Sequence, residues 1–427
     1  MKYFLPKMAI QIVSRYVPIA GRAGHFTYLL EMMRYLHARG WRLELDLLDP
    51  WFLSENIPAD VHDVAEVVIM PASYLKTQPP PTASRFVLAG FRRLCQYLLA
   101  RRLASLRSAW YRLRKRDVPG HHLPDATAAD AEIAFVKAQI ERQRPNVLIT
   151  NETFLGNILN EYHNDNTLVK ANIAFDLHHQ RQAKLRESGS SVCFSAWTRQ
   201  KEIDVLKAAD IVVAIHNDDA QTLRDMLPLS EVICVPFPAH VQEHGAAVQI
   251  KGRCLFVGSS IATNTQGIAW FLREVWPLIL RQQPQATLHI CGTVCETLAQ
   301  FAAPNVRLLG RVDDLNAEYG AAEVCIIPLL AGSGLKIKLI EALSHGRACV
   351  STSVGVQGVR DLTDRAVLLA DTPTEFAEAV MTLLQQPEKR RRLEDRARRY
   401  VTEHLSPEKV YQPFVERICR HVRECAK

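Results

Sequence analysis

Short, nearly continuous apolar runs rich in Val, Ile and Leu recur along the chain, with amphipathic helical stretches between them. They occupy residues 9–13, 43–48, 66–70, 146–150, 172–175, 210–215 and 232–235. A strand that reads apolar without alternation is buried on both faces, the condition of a parallel sheet covered by helices. The intervening helical patterns supply the crossover connections such a sheet requires. The series then restarts at 254–257, 287–291, 306–309, 324–328, 349–352 and 367–370. Helices are predicted over 27–38, 267–282, 335–344, 373–384 and 410–422. The chain is therefore expected to be an α/β protein with two doubly wound halves. They divide near Val235-Pro236-Phe237-Pro238, where two prolines break the periodicity.

Composition is consistent with this. Hydrophobic residues make up 48% and charged residues 23% of 427, ordinary for a globular chain and incompatible with bulk disorder. No apolar run reaches the roughly 18–20 residues of a membrane span, and the first residues lack a signal-peptide pattern. A cytoplasmic location is expected. Among the ten cysteines no CxxC pair and no zinc-ligand spacing occurs. Cys234, Cys254, Cys291, Cys325 and Cys349 sit in or beside apolar runs, where a thiol packs as a small hydrophobe. No metal and no cofactor is expected.

One segment departs from the α/β rhythm. After a proline-rich loop at 77–84, residues 85–116 read as a helical insertion. It carries Arg85, Arg92, Arg93, Arg101, Arg102, Arg107, Arg112, Arg114, Lys115 and Arg116, and no Asp or Glu. Phe86, Leu94, Leu98, Leu106 and Trp110 contribute to an apolar stripe. Apolar groups at a headgroup boundary with cations facing acidic lipid fit an anionic membrane surface. The plain alternative is a core-covering helix with a solvated charged face. No nucleic-acid-binding motif accompanies the charge, so nucleic acid is not an expected partner.

The strongest chemical signal follows the 324–328 run. Ala331-Gly332-Ser333-Gly334-Leu335-Lys336-Ile337-Lys338 opens a helix that reaches Glu341 and ends near Gly346. Free N–H groups at a helix start bind anions, glycine admits a phosphate closely, and two lysines add charge. The Glu341 carboxylate can accept hydrogen bonds from sugar hydroxyls. A diphosphate joined to a ribose matches this set.

This stretch closely resembles the nucleotide-binding segment of group 1 (family 4) glycosyltransferases of the GT-B fold. Phe256-Val257-Gly258-Ser259 with Asn264, Gly267 and Trp270-Phe271 resembles the opening of that family's second half, and Gly310–Leu315 and Ser353–Gly358 follow in its order. The resemblance implies two Rossmann-like domains facing each other across a cleft. The N-terminal domain, 1–235, would bind the acceptor and carry the basic insertion. The second domain, 239–408, would bind the nucleotide sugar. A final helix, 409–427, would cross back to the first domain. By position, Gly258, Ser259, Asn264, Gly332, Ser333, Gly334, Leu335, Lys336, Lys338 and Glu341 would contact the donor. Many members carry a further Glu where this chain has Ser333, and an Arg and a Lys in the loop that here reads 258–266; Lys336 and Lys338 are expected to replace that charge.

In the first half, Gly21, Gly24 and His25 lie in a loop that follows the first strand and resembles the family's acceptor loop. Asp176-Leu177-His178 follows another strand and resembles the segment that brings a catalytic Asp or His to the cleft, with His179 the competing choice. Glu152 stands just beyond a strand's carboxyl end, where α/β proteins bind ligands, and is expected in the acceptor site. The doublets Asp218-Asp219 and Asp313-Asp314 are expected to cap helices rather than hold a metal.

The reading is a metal-independent, retaining glycosyltransferase. It would move a sugar from a nucleotide diphosphate to a glycan or lipid-linked acceptor in cell-surface polysaccharide assembly, peripheral to the inner face of the membrane. The competing readings are a non-catalytic nucleotide-sugar-binding scaffold, and another GT-B enzyme such as a nucleotide-sugar epimerase.

Overall fold

The computed structural model describes residues 8–19, 24–50, 54–77, 125–187, 196–242, 248–298, 301, 303–312, 314–332, 336–359, 362–363 and 365–425. Gly21, Ser333, Gly334, Leu335, Asp313 and the basic segment 85–116 lie outside them.

The predicted apolar runs form two wholly parallel sheets. The first contains β1 (Ala9–Ser14), β2 (Arg42–Leu47), β3 (Glu66–Ile69), β4 (Val147–Asn151), β5 (Val169–Ala174), β6 (Ile211–Ala214) and β7 (Glu231–Cys234), in the order β3-β2-β1-β4-β5-β6-β7. The second contains β8 (Arg253–Val257), β9 (Thr287–Cys291), β10 (Val306–Gly310), β11 (Val324–Ile327), β12 (Ala348–Ser351) and β13 (Val367–Leu369), in the order β10-β9-β8-β11-β12-β13. Each sheet reverses its winding beside its first strand, between β1 and β4 and between β8 and β11. Such a reversal opens a crevice beyond the carboxyl ends of the two strands. This is the two-domain α/β fold expected from the periodicity.

The helices used below are α1 (Gly24–His37), α2 (Asp130–Gln143), α3 (His178–Glu187), α4 (Arg199–Leu206), α5 (Asn217–Met226), α6 (Ala262–Trp270), α7 (Ile337–Ser344) and α8 (Pro407–Cys425). Two local differences from the sequence reading have physical causes. Strand β5 begins at Val169, not Asn172, because Lys170 is buried inside it. The Lys170 ammonium reaches the carbonyls of Asp165 and Leu168 and the carboxylate of Asp210 at 3.1–3.2 Å, so a charged side chain interrupts the apolar pattern without ending the strand. The helix predicted over 267–282 starts earlier, at Ala262, and passes through a π turn at Phe271–Val275 before resuming at Trp276–Gln282. Pro277 has no N–H to donate, and the wider turn precedes it.

Helix α8 leaves the second half and packs on the first. Tyr411 donates a hydrogen bond to the Tyr28 carbonyl at 3.1 Å, and its ring meets those of Tyr28 and Tyr35 at 5.9 and 5.2 Å. Val410, Phe414, Val415 and Ile418 fill the same apolar cluster as α1 and both sheets. Arg417, Arg420 and His421 surround Glu231 at the start of β7.

Candidate active site

The loops after β8 and β11 meet at the reversal point of the second sheet. Gly267, in α6, lies so close to the end of β11 that a methyl group there would collide with the Pro328 carbonyl. This brings Asn264 under the helix that carries the lysines. Asn264 is buried, and its amide donates to the Ser259 carbonyl at 2.9 Å. Its Oδ1 accepts from Lys338 Nζ at 2.8 Å. The loop between Gly258 and Asn264 has no cation of its own, and Lys338 reaches into it from α7.

Glu341 follows Lys338 by three residues, so both project from one face of α7. Burial lowers the Lys338 ammonium to about 8, and the Glu341 carboxylate opposes that fall. Burial raises the Glu341 carboxyl, against a hydrogen bond from Tyr319 and the charge of Lys338. The Tyr319 hydroxyl lies 3.4 Å from Glu341 Oε2, and its ring stacks on His345 at 4.2 Å. Lys336, the residue before α7, donates to Gln357 Oε1 at 3.3 Å in the loop after β12. Gly332 adopts φ +137°, a backbone that suits glycine, facing the Lys336 side chain. Together these groups present an ammonium, a carboxylate and a helix start toward one crevice, a set able to hold a phosphate and a hydroxylated ring at once.

The ends of β1, β4 and β5 form the facing side. Asp176 lies just past β5, 3.7 Å from Arg181 of α3. Burial raises its carboxyl; Arg181 opposes, Asp219 adds to the rise, and His216 and Lys336 lower it. The effect of Lys336 connects the two sides of the crevice. Glu152 has φ +84°, a region that costs a residue other than glycine about 1–3 kcal/mol. Its N–H donates to the Ile173 carbonyl at 3.0 Å, and its own carbonyl accepts from the Asn172 amide at 3.0 Å. Burial, then the charge of Asp176, push its carboxyl up to about 8, with Arg181 opposing. His25, at the start of α1, packs edge-on to Phe175 at 5.9 Å; burial and Arg181 lower its imidazole to about 4. Gly24 touches the second half directly, and a methyl group there would overlap the Ile337 side chain of α7.

His178 is placed differently. It is 5% exposed, stacked on Trp197 at 4.7 Å and edge-on to Phe154 at 6.0 Å. Burial and Arg181 lower its imidazole to about 4. The His179 Nδ1 contacts the Glu202 carboxylate of α4, which also accepts the backbone N–H groups of both histidines. The acidic doublets have local partners too: Asp314 accepts the Asn316 N–H at 2.9 Å, and Asp219 pairs with His216 at 2.8 Å. Among the described residues no group of three metal-ligating side chains is gathered.

The sequence reading assigned no role to Tyr319, Gln357, Tyr16 or Arg181. Arg181 stood at the end of the 174–181 motif, three residues beyond His178, on the helix turn that faces Asp176. Tyr319 gave no signal, because its contact with Glu341 exists only once β11 and α7 are assembled.

The profile of the family described as Glycosyl transferases group 1 matches residues 251–386. A protein of the cps region of Klebsiella pneumoniae, described as an uncharacterized 44.6 kDa protein, is 24% identical over 168 residues, 37% of this chain and 43% of its own length. The chain thus matches less than half of that curated relative. Among solved structures, a sucrose-phosphate synthase from Thermosynechococcus elongatus superposes with a TM-score of 0.64 at 15% identity, over 98% of this chain and 99% of that one. A point mutant of S. aureus TarM, in complex with Fondaparinux, alpha-GlcNAc-glycerol and UDP, superposes at 0.66 and 9% identity over 96% and 99%. The fold is the two-domain GT-B fold of these solved glycosyltransferases, and residues 251–386 match the group 1 family model.

Proposed function

We propose that this chain, a glycosyltransferase by its group 1 domain and GT-B fold, transfers a sugar from a nucleoside diphosphate to a glycan or lipid-linked acceptor in polysaccharide assembly. The observation that carries the reading is the Lys338–Asn264 hydrogen bond of 2.8 Å, which brings an ammonium into the loop after β8 beside Glu341. The relative from a cps region supports the polysaccharide setting, and UDP in the S. aureus neighbour's complex supports the donor class.

In this reading residues 239–408 hold the donor. Glu341 accepts hydrogen bonds from the ribose hydroxyls. Lys336, Lys338 and the start of α7 stabilise the charge that develops on the diphosphate as the glycosidic bond breaks, an electrostatic role of the oxyanion type. Gly258, Ser259, Asn264, Gly332, Ser333, Gly334 and Leu335 complete the donor site in this reading. Residues 1–235 present the acceptor through Gly21, Gly24, His25 and Glu152, with Asp176 and His178 beside it, and 409–427 join the two halves. Contact between Gly24 and Ile337 brings acceptor and donor sides together and excludes competing water. Retention at the anomeric carbon and independence of metal follow from the family resemblance. The basic 85–116 segment docks the enzyme on an anionic lipid surface. Among the described residues no helix is long and apolar enough to cross a membrane.

The test is a binding and hydrolysis screen against UDP-, GDP- and dTDP-sugars, with Glu341→Ala as control. One donor should bind, be slowly hydrolysed, and lose its affinity in the variant. A folded protein that binds none of them removes the transferase reading.

A further inference from the structure

We propose that the outward face of the helix Pro387–Tyr400, in the second half, docks on an anionic lipid surface. The contact goes beyond the docking read for 85–116. It lies on other residues, and it does not depend on the glycosyltransferase reading.

Charge is the first argument. Lys389, Arg391, Arg392, Arg396, Arg398 and Arg399 all reach solvent from this helix, against the two exposed acids Glu388 and Asp395. Both acids are already taken: Arg391 holds Glu388 at 3.0 Å, and Arg398 holds Asp395 at 3.3 Å. The remaining ion pairs of the helix are buried and join Arg390 to Glu323 and Glu394. Lys389, Arg392, Arg396 and Arg399 therefore have no carboxylate partner among the described residues. They follow one another at spacings of three, four and three, so they share one face of the helix. At the rise of an α-helix that stripe is about 15 Å long. Leu393 and Ala397 bury the inward side, so the cationic side stays turned to solvent.

The surroundings are the second argument. A groove of about 590 Å³ runs beside the stripe. Lys389, Arg392 and Arg396 supply its positive charge, and Leu368, Pro387 and Leu393 its apolar part. The acid in its lining is Glu388, the carboxylate that Arg391 holds. Arg396 Nη1 donates to the Arg365 carbonyl at 3.2 Å, which ties the stripe to the turn before β13. Strand β13 is the edge of the second sheet, and Leu369 at its end is 39% exposed.

The chemistry of this face selects its occupant. Guanidinium forks match phosphate, and aliphatic groups beside them suit the headgroup boundary of a bilayer. A basic stripe on an amphipathic helix is the pattern that acidic lipid attracts. The groove is of a size that holds a small polar ligand such as a headgroup. Among the described residues no aromatic ring lines it. Protein interfaces use aromatic anchors and are poor in lysine, and single-stranded nucleic acid needs rings on which bases stack.

The experiment is co-sedimentation of the whole chain with vesicles of phosphatidylglycerol and phosphatidylcholine in equal parts, and with vesicles of phosphatidylcholine alone. The native protein should partition onto the acidic vesicles only, and less as salt is raised. Each basic group at an acidic surface is worth about fivefold in partitioning, so Arg392→Gln with Arg396→Gln should lower it by about 25-fold. Lys389→Gln with Arg399→Gln removes the other two cations of the stripe and should cost a similar factor; this pair covers a first variant that folds poorly. Arg307→Gln with Arg311→Gln removes the same charge at β10, the opposite edge of the second sheet, and should change partitioning by less than about threefold. All three variants keep 85–116, so its contribution cancels in the comparison. Equal losses in the stripe and edge variants overturn the proposal, as does a native protein that ignores acidic vesicles. Displacement by inorganic phosphate or glycerol phosphate beyond that of sodium chloride at equal ionic strength overturns it in favour of a free phosphate site. Polyglutamate retained as tightly as the vesicles, and lost with Arg392 and Arg396, overturns it in favour of an acidic protein. Vesicle binding needs no sugar donor, so failure here is distinct from failure of the donor screen.

Discussion

Lys338 is the residue on which the proposed donor site turns. Its depressed ammonium, near about 8, is partly neutral in mildly alkaline solution, and an incoming diphosphate favours the charged form. Binding therefore takes up a proton at alkaline pH. Nucleoside diphosphate affinity should be flat below about 8 and weaken by up to tenfold per unit above it, measured by calorimetry in buffers of different ionisation enthalpy. Lys338→Met should remove both the pH dependence and the proton uptake. Glu341 acts on the same group, since its carboxylate raises Lys338. Glu341→Gln should accordingly weaken nucleotide binding by about 1.5–3 kcal/mol, the worth of a hydrogen bond to a charged group, and begin the alkaline loss at lower pH. A Gln variant with native affinity and native pH dependence would contradict both roles.

At the scale of elements, α1 and α7 meet at Gly24 and Ile337. A side chain there meets the Cδ1 end of Ile337, so either that side chain turns aside or the two helices part. Gly24→Val should hold the halves apart, lowering transfer by at least tenfold while nucleotide affinity stays native, because none of the proposed donor contacts lies on α1. Single-turnover transfer alongside equilibrium nucleotide binding separates the two quantities. Why such a contact escapes the sequence also explains the uneven legibility of the chain. The strands were readable because each is buried on both faces and says so locally, as at Ile211–Ala214 or Val324–Ile327. The cluster of Lys336, Lys338 and Glu341 was readable because the three are close neighbours in one stretch of chain. The groups gathered at the ends of β4 and β5 were readable only in part. Glu152, Asp176 and Arg181 come together from β4, β5 and α3 after the sheet has formed, and neither the positive φ of Glu152 nor the stack of His178 on Trp197 has a signature in residue spacing.

For the whole molecule, α8 sets how the two halves are held. It follows the second sheet in the chain yet buries Tyr411, Phe414 and Ile418 against α1 and the first sheet. Tyr411 is fully enclosed, donates to the Tyr28 carbonyl, and packs on both Tyr28 and Tyr35. Tyr28 in turn donates to the Val235 carbonyl at 3.0 Å, at the junction of the halves. Helix α8, the junction and α1 therefore share one set of rings. Removing the Tyr411 hydroxyl alone should cost about 1 kcal/mol, the net worth of one buried hydrogen bond. Removing the ring leaves a cavity and should cost about 3–5 kcal/mol. The functional consequence differs from the energetic one. Every proposed donor contact, from Gly258 to Glu341, lies on the second half, so nucleotide affinity should survive Tyr411→Ala at temperatures where the variant remains folded. In the proposed reading transfer needs Gly24 against Ile337, and with α1 released from α8 that contact is no longer enforced. Denaturant melts, nucleotide titrations and transfer rates on Tyr411→Phe and Tyr411→Ala test this together. The expected pattern is a graded loss of stability, constant nucleotide affinity, and a transfer rate that falls only with the ring. If affinity and transfer fall in step, α8 supports the donor half as a scaffold and does not set the approach of the two halves.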